Sequence, residues 1–279
     1  RSIAGPFSNG FFAPGGPQTI TTTGAGPNGY GITLENLGGT GIDQGGFPTT
    51  AFIDGRSGAQ IIDVSNSAGI LISASGGDAA GIFGEGASQS VTIHGIDSEN
   101  RLVIAGGVGS AQLFSNGPQT VKAGLVGEAG GISLHGGTAD KALAGIQALN
   151  GTQNITTTGT LTLTGGTAPG RTIINLSDPQ PPCGTVTGCA FVAAEGGKQT
   201  ISANAISLIG GSHGNENLAT LFGVGGQDIA VGSGGLTMQG GTGTGIRNYA
   251  FIENDAGDQI LRFATGAPLT MTGGTVGLK

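Results

Sequence analysis

Eight glutamines recur along the chain with aliphatic residues at fixed offsets: Gln18, Gln60, Gln89, Gln119, Gln153, Gln199, Gln227 and Gln259. Subtracting successive positions gives steps of 42, 29, 30, 34, 46, 28 and 32 residues. An amide carries both donors and acceptors, so amides stacked one repeat apart can bond to each other along an axis, as Asn and Gln do in cross-β stacks. A row of exposed amides would instead be a ligand surface. The internal ladder is the better reading, because each glutamine shares parity with the buried column of its strand.

Other chemistry-bearing residues do not gather in this way. Polysaccharide cleavage on a solenoid needs two carboxylates about 5–10 Å apart on one face. On the outward column of the glutamine strands stand Asp63, Lys122 and Arg262, two or more repeats apart. Asp228 and Arg262 fall on adjacent repeats and suit a surface ion pair. Asp54, Glu85, Glu195 and Glu253 are scattered over turns, and His94, His135 and His213 fall at three different phases. No column holds consecutive carboxylates with a basic partner. We therefore expect no catalytic residues, no cofactor and no metal centre. One partial match to a calcium-binding nonapeptide, Gly38-Gly39-Thr40-Gly41-Ile42-Asp43, fails at Gly45, and that motif works only in stacked copies. Outward threonines (Thr19, Thr21, Thr92, Thr156) suggest an ice-binding array, but Asp63, Lys122, Asp228 and Arg262 interrupt it. Outward threonine is ordinary in strands.

The elements that would position the glutamines follow from periodicity. Two residues after each glutamine comes Ile20, Ile62, Val91, Val121, Ile155, Ile201, Ile229 or Leu261. Alternation with small polar residues reads as a half-buried strand. A second short strand ends in Gly-Gly, as in Leu161-Thr162-Leu163 before Gly165-Gly166, and glycine there is expected to supply positive φ at a corner. A third strand precedes the next glutamine, as in Ala250-Phe251-Ile252. Three short strands and three corners, about 28 residues, make one coil of a parallel β-solenoid, with neighbours about 4.8 Å apart. The chain is expected to be all-β: one elongated β-helix domain over 1–279, about eight coils of three short strands. Within it, Gln153–Thr167 is expected to run strand, turn, strand and then a Gly-Gly corner, and Ala139–Ala144 to form one helical turn in a loop.

Composition narrows the class. Of 279 residues, 60 are glycine and 11 proline, a level that signals disorder only when no period exists. The formal charge is −7 without a basic stripe, which disfavours nucleic acid. No apolar run is long enough for a membrane span. The only cysteines, Cys183 and Cys189, lie six apart in the Pro-containing insertion 167–189, where a disulfide would order the loop and imply an oxidising compartment.

The chain opens on Phe11-Phe12, a third strand, and ends on Leu269-Thr270-Met271, a second strand. Phe11, Phe12, Leu269 and Met271 are thus the expected assembly ends, and one chain's end would be completed by another's beginning. The expectation is a head-to-tail homopolymer, or a segment of a longer rod.

With the Gln-x-Ile, Leu-Thr-Leu-x-Gly-Gly-Thr and Ala-Phe-Ile period laid out, residues 10–275 resemble in repeat style the filamentous-haemagglutinin-like adhesins and related Gly/Thr-rich proteins of Gram-negative bacteria. The long steps and the cysteine pair depart from that pattern. The resemblance implies a right-handed β-helix, an extracellular or cell-surface location, and a scaffold or adhesive role. The alternative within it is an adhesin rod that holds a glycan or host surface through loop 167–189 or a lateral face.

Overall fold

The structure, a computed structural model, describes residues 9–13, 16–26, 28–37, 50–76, 79–95, 101–140, 142–169, 188–243, 245 and 247–276. These form a parallel β-solenoid with three sides, and no helix occurs among them.

The first side carries the glutamines. It comprises β2 (Gln18–Thr23), β5 (Ala59–Ser65), β8 (Ser88–His94), β11 (Gln119–Ala123), the first parts of β14 (Gln153–Thr164), β16 (Gln199–Ile209) and β18 (Gln227–Gln239), and β21 (Gln259–Phe263). The second side comprises β3 (Ile32–Glu35), β6 (Gly69–Ala74), β9 (Arg101–Gly106), β12 (Gly131–His135), the later parts of β14, β16 and β18, and β22 (Leu269–Thr272). The third side is an eight-stranded sheet of β1 (Asn9–Ala13), β4 (Thr50–Gly55), β7 (Ala79–Gly84), β10 (Ser110–Ser115), β13 (Ala144–Ala148), β15 (Ala190–Ala194), β17 (Ala219–Gly223) and β20 (Ala250–Asn254). Two two-residue strands, β19 (Thr242–Gly243) and β23 (Thr275–Val276), pair with each other. Each level runs third side, first side, second side. Of the eight levels of the third side, six have a neighbour on both faces.

Stacking in register places like residues over like. On the first side Ile62, Val91, Val121, Ile155, Ile201 and Ile229 form one column, all fully buried or nearly so. Leu102, Ile132, Leu161, Ile206 and Leu236 do the same on the second side, and Ile82, Leu113, Ile146, Val192 and Leu221 on the third. A solenoid buries one narrow core this way, each coil covering the apolar residues of the next.

Three sequence expectations need correction. First, Gln153–Thr164 is one continuous strand with a register shift between Thr157 and Thr160, not strand, turn, strand. The bend is taken up by the irregularity, where a Cβ on Gly159 would lie 1.4 Å from the Gly130 carbonyl oxygen. Second, the helical turn expected over Ala139–Ala144 is, among the described residues, a single turn in which Ala142 N–H donates to Ala139 O, and Ala144 already begins β13. Third, the Gly-Gly corners do not use positive φ; Gly136, Gly137, Gly165, Gly166, Gly210 and Gly211 all lie outside that region. Glycine is needed for close approach between coils. A Cβ on Gly166 would lie 1.9 Å from Gly137 O, on Gly211 2.2 Å from Gly166 O, and on Gly241 2.1 Å from Gly211 O. The glycines form a column in which each takes the carbonyl of the one before.

The third side also differs from a half-buried sheet. Every residue of β15 and β17 is buried, and Cys189, Phe191, Ala193, Leu218 and Phe222 form a second apolar cluster. Phe191 stands in register with Gly145, and its ring fills the space a side chain there would take, with Cζ 2.2 Å from an added Cβ. An aromatic ring laid over a neighbouring glycine recovers apolar contact that the glycine cannot make.

Candidate assembly site

The glutamines form one unbroken ladder. In every step the side-chain N–H of the later residue donates to Oε1 of the earlier one: Gln60 to Gln18, Gln89 to Gln60, Gln119 to Gln89, Gln153 to Gln119, Gln199 to Gln153, Gln227 to Gln199 and Gln259 to Gln227, over 2.6–2.8 Å. The second N–H turns to the third side. Gln89 donates to Phe114 O at 2.9 Å, and Gln199 to Val192 O at 3.2 Å. Gln60 to Gln227 are buried, and from Gln60 to Gln199 the side-chain amide donates both to the preceding glutamine and to a third-side carbonyl. An unmet buried amide group would cost about 1–3 kcal/mol. The ladder therefore also locks the first side to the third at their shared corner.

Its polarity leaves the two ends chemically different. At the level of β20, β21 and β22, no donor among the described residues meets Gln259 Oε1. At the level of β1, β2 and β3, Gln18 keeps a 3.4 Å contact to Asp54 O, and no earlier amide accepts its other N–H among the described residues.

The ends also differ in cover. Leu261 is 40% exposed, Phe263 36%, Leu269 54% and Met271 70%, whereas Ile229, Val231 and Leu236, one coil earlier in the same columns, are at 3% or below. At the opposite end Gln18 and Ile32 are buried, and Ile20 and Leu34 are half-buried. Of the expected end residues, Leu269 and Met271 thus lie on an open apolar face. Phe11 and Phe12 lie on β1, the edge strand of the third side, in register with Ile53 and Asp54.

Cys189 is buried at the entry to β15 and is not a free thiol. Cys183, most of insertion 167–189 and the nonapeptide match at 38–43 lie outside the described residues.

Most of the ion pairs among the described residues link coils, whereas Arg56 and Asp54 pair within one. Arg262 and Lys198 both hold the Asp228 carboxylate, Lys198 at 3.4 Å. Burial works to raise the Asp228 carboxyl, and the hydrogen bonds and charges of Arg262 and Lys198 together outweigh it and hold it below its ordinary value. Arg56 pairs with Asp54 at 2.8 Å, and Arg247 with Glu216 at 3.2 Å. Of the histidines, His135 ends β12, His213 meets Ser212 Oγ at 3.1 Å, and His94 Nε2 meets Asp63 Oδ1 at 2.9 Å. That last pair borders an open cleft lined by Ser65, Asn66, His94 and Glu128. Phase counting missed it because the contact is diagonal: Asp63 stands three residues after its glutamine and His94 five after its own. Asn217 and Asn248 were missed too, although each stands two residues before a third-side strand. Asn217 N donates to Asn248 Oδ1 at 2.9 Å, and Asn248 Nδ2 to Gly214 O at 2.9 Å.

Among the described residues, no three His, Cys, Asp or Glu side chains converge as metal ligands, and no helix is long and apolar enough to cross a membrane. The geometry supplies a self-complementary hydrogen-bond ladder and an apolar end face. Comparison with protein-family models, with curated proteins and with solved structures finds no match.

Proposed function

We propose that the chain is a structural protein: a subunit or segment of an extracellular bacterial filament or surface fibre that assembles head-to-tail through its solenoid ends. The observation that carries this reading is the level of β20–β22. There the columns of Ile229, Val231 and Leu236, buried one coil earlier, end in exposed Leu261, Phe263 and Leu269, and the column of half-buried Met238 ends in exposed Met271. An uncovered strand edge with apolar residues is a template for another strand. The repeat style shared with filamentous-haemagglutinin-like adhesins supports a cell-surface setting. So does the proposed Cys183–Cys189 disulfide, which would persist there. The mechanism is mechanical: axial hydrogen bonds through every coil, and a thin aliphatic core resisting shear.

Negative-stain electron microscopy of the purified chain over a dilution series tests this. Long unbranched fibres are expected. Rods of roughly 40 Å at every concentration, the length of eight coils, would count against self-assembly.

A second reading rests on the lateral face. Over β14 and β16 the first and second sides merge into one broad sheet, with Asn154, Thr156, Thr160, Ser202 and Asn204 exposed on it. Such a broad, uncharged, hydrogen-bonding face suits a glycan, which is the adhesin alternative. Attachment that survives in fibres but is lost on substituting Thr156 and Ser202 by lysine would favour it.

A further inference from the structure

We propose that residues 170–187 dock on the outer face of β15 and β17, which makes the insertion part of the wall of the rod at that level. Two columns cross the outer face of the third side there. One runs Gly145, Phe191, Thr220, Phe251. The other runs Phe114, Gln147, Ala193, Phe222, Glu253. Phe114, Gln147 and Phe251 are half-buried and Glu253 is exposed, as outward positions on a bare sheet should be. Between them, Ala193 and Thr220 are 0% exposed, Phe222 2% and Phe191 3%. A ring lying on a sheet shows its upper face to water unless something rests on it. No other chain is present, so the cover is part of this one. Every member of the apolar cluster stands on a third-side strand or at its ends, beneath the cover rather than in it.

Residues 170–187 lead straight into β15, and the chain on either side of them is fixed at the corner beside it. Asn217 Nδ2 donates to Ala168 O at 3.0 Å, Ala168 N donates to Asn217 Oδ1 at 3.2 Å, and Gly166 N donates to Gly188 O. The 18 residues between can reach out about 30 Å and return. A five-residue strand spans about 17 Å, so the segment can cross the face. Residues 38–49, the other long stretch outside the described residues, enter the third side at β4, four strands away. The chemistry of 170–187 also fits. Ile173, Ile174 and Leu176 bring apolar side chains ahead of Pro179, Pro181 and Pro182. Cys189 is buried with the outward parity of Phe191 and is not a free thiol, so the proposed bond to Cys183 would hold the returning limb on the same face. Thr220 Oγ1 is buried without a hydrogen-bond partner among the described residues, and a peptide backbone can meet it where a purely apolar cover cannot. Left bare, this aromatic face would invite side-by-side association of rods.

The chain has no tryptophan, so one placed in the segment is a sole reporter. In Leu176→Trp we expect acrylamide to quench the indole about threefold less than tryptophan amide, because a docked ring is shielded. Adding Phe222→Ser should abolish the shielding. Adding Phe83→Ser, four strands away in the same column, should leave it. Circular dichroism confirms that each chain compared is folded. Phe222 belongs to a packed cluster, so a second measurement alters the segment alone. Ile174→Asp with Leu176→Asp should raise the fluorescence of the apolar dye ANS about threefold as the face is uncovered. An indole at 176 quenched as readily as tryptophan amide would overturn the proposal. So would shielding that survives Phe222→Ser, shielding lost equally with Phe83→Ser, or dye binding unchanged by the paired aspartates. These readouts do not involve fibre formation, so head-to-tail assembly stands or falls separately.

Discussion

Gln199 donates its side-chain N–H to Gln153 Oε1 across 2.8 Å, although 46 residues separate them. Gln227 meets Gln199 at 2.6 Å after only 28. The ladder spacing is thus indifferent to the length of chain between its members. Insertions leave the rod at corners and return to it, because the strand separation, not the contour, sets the rise.

Breaking the ladder in the middle should be costly. Gln153→Leu keeps the volume but leaves Gln119 Oε1 without a donor and Gln199 without an acceptor, both buried. We expect a loss of about 2–6 kcal/mol, from two unmet groups at about 1–3 kcal/mol each. Thr156→Ala, on the exposed face of the same strand, should cost about 0.5 kcal/mol or less. Urea unfolding followed by circular dichroism compares them; equal costs would remove the ladder from the account of stability.

The glycines should rank by what a methyl group meets. At Gly145 it meets the edge of the Phe191 ring, a side chain that can turn aside. At Gly159 it meets the Gly130 carbonyl, which belongs to the neighbouring coil's backbone. Gly145→Ala should cost about 1–3 kcal/mol, in the range of an overpacked core. Gly159→Ala should exceed that, or prevent stacking at that level. Thermal unfolding of the two variants gives the order.

Acid should loosen the β18–β21 pairing. Asp228 is held below its ordinary value in the folded chain by Arg262 and Lys198. A carboxyl with a depressed folded value contributes stability that is fully present above its unfolded value and is lost as pH falls through the folded one. The Asp228–Arg262 contact ties β21 to β18, so amide exchange over 259–263 should quicken below about pH 4, the ordinary carboxylate range. Arg262→Gln should remove part of that dependence. Arg262 is exposed and Asp228 half-buried at the surface, so the effect is modest and shrinks with salt. A pH-independent ratio of exchange in β21 to that in β11 would contradict it.

Cys189 and Cys183 should resist alkylation until a reductant is added, and then react together. Labelling of either cysteine in the unreduced, denatured chain would count against the proposed disulfide.

The sequence by itself determined the coil. Glutamine followed at two residues by an aliphatic admits one half-buried strand per repeat, and eight such repeats with short corners leave stacking as the way to bury their faces. It also determined the inward turn of the glutamines, because parity places them with Ile62, Val91 and Val121. Tertiary structure alone decided what depends on distances between coils. The Gly-Gly pairs look like turn glycines in sequence, and only the stacked carbonyls of Gly137, Gly166 and Gly211 show that the requirement is space. The Asp63–His94 pair is invisible to phase counting because side chains several atoms long reach diagonally across a 4.8 Å rise. The second apolar cluster around Phe191 and Phe222 was hidden for a related reason: alternation assigns both to the outward face, and a pattern along one strand carries no record of what packs against its far side.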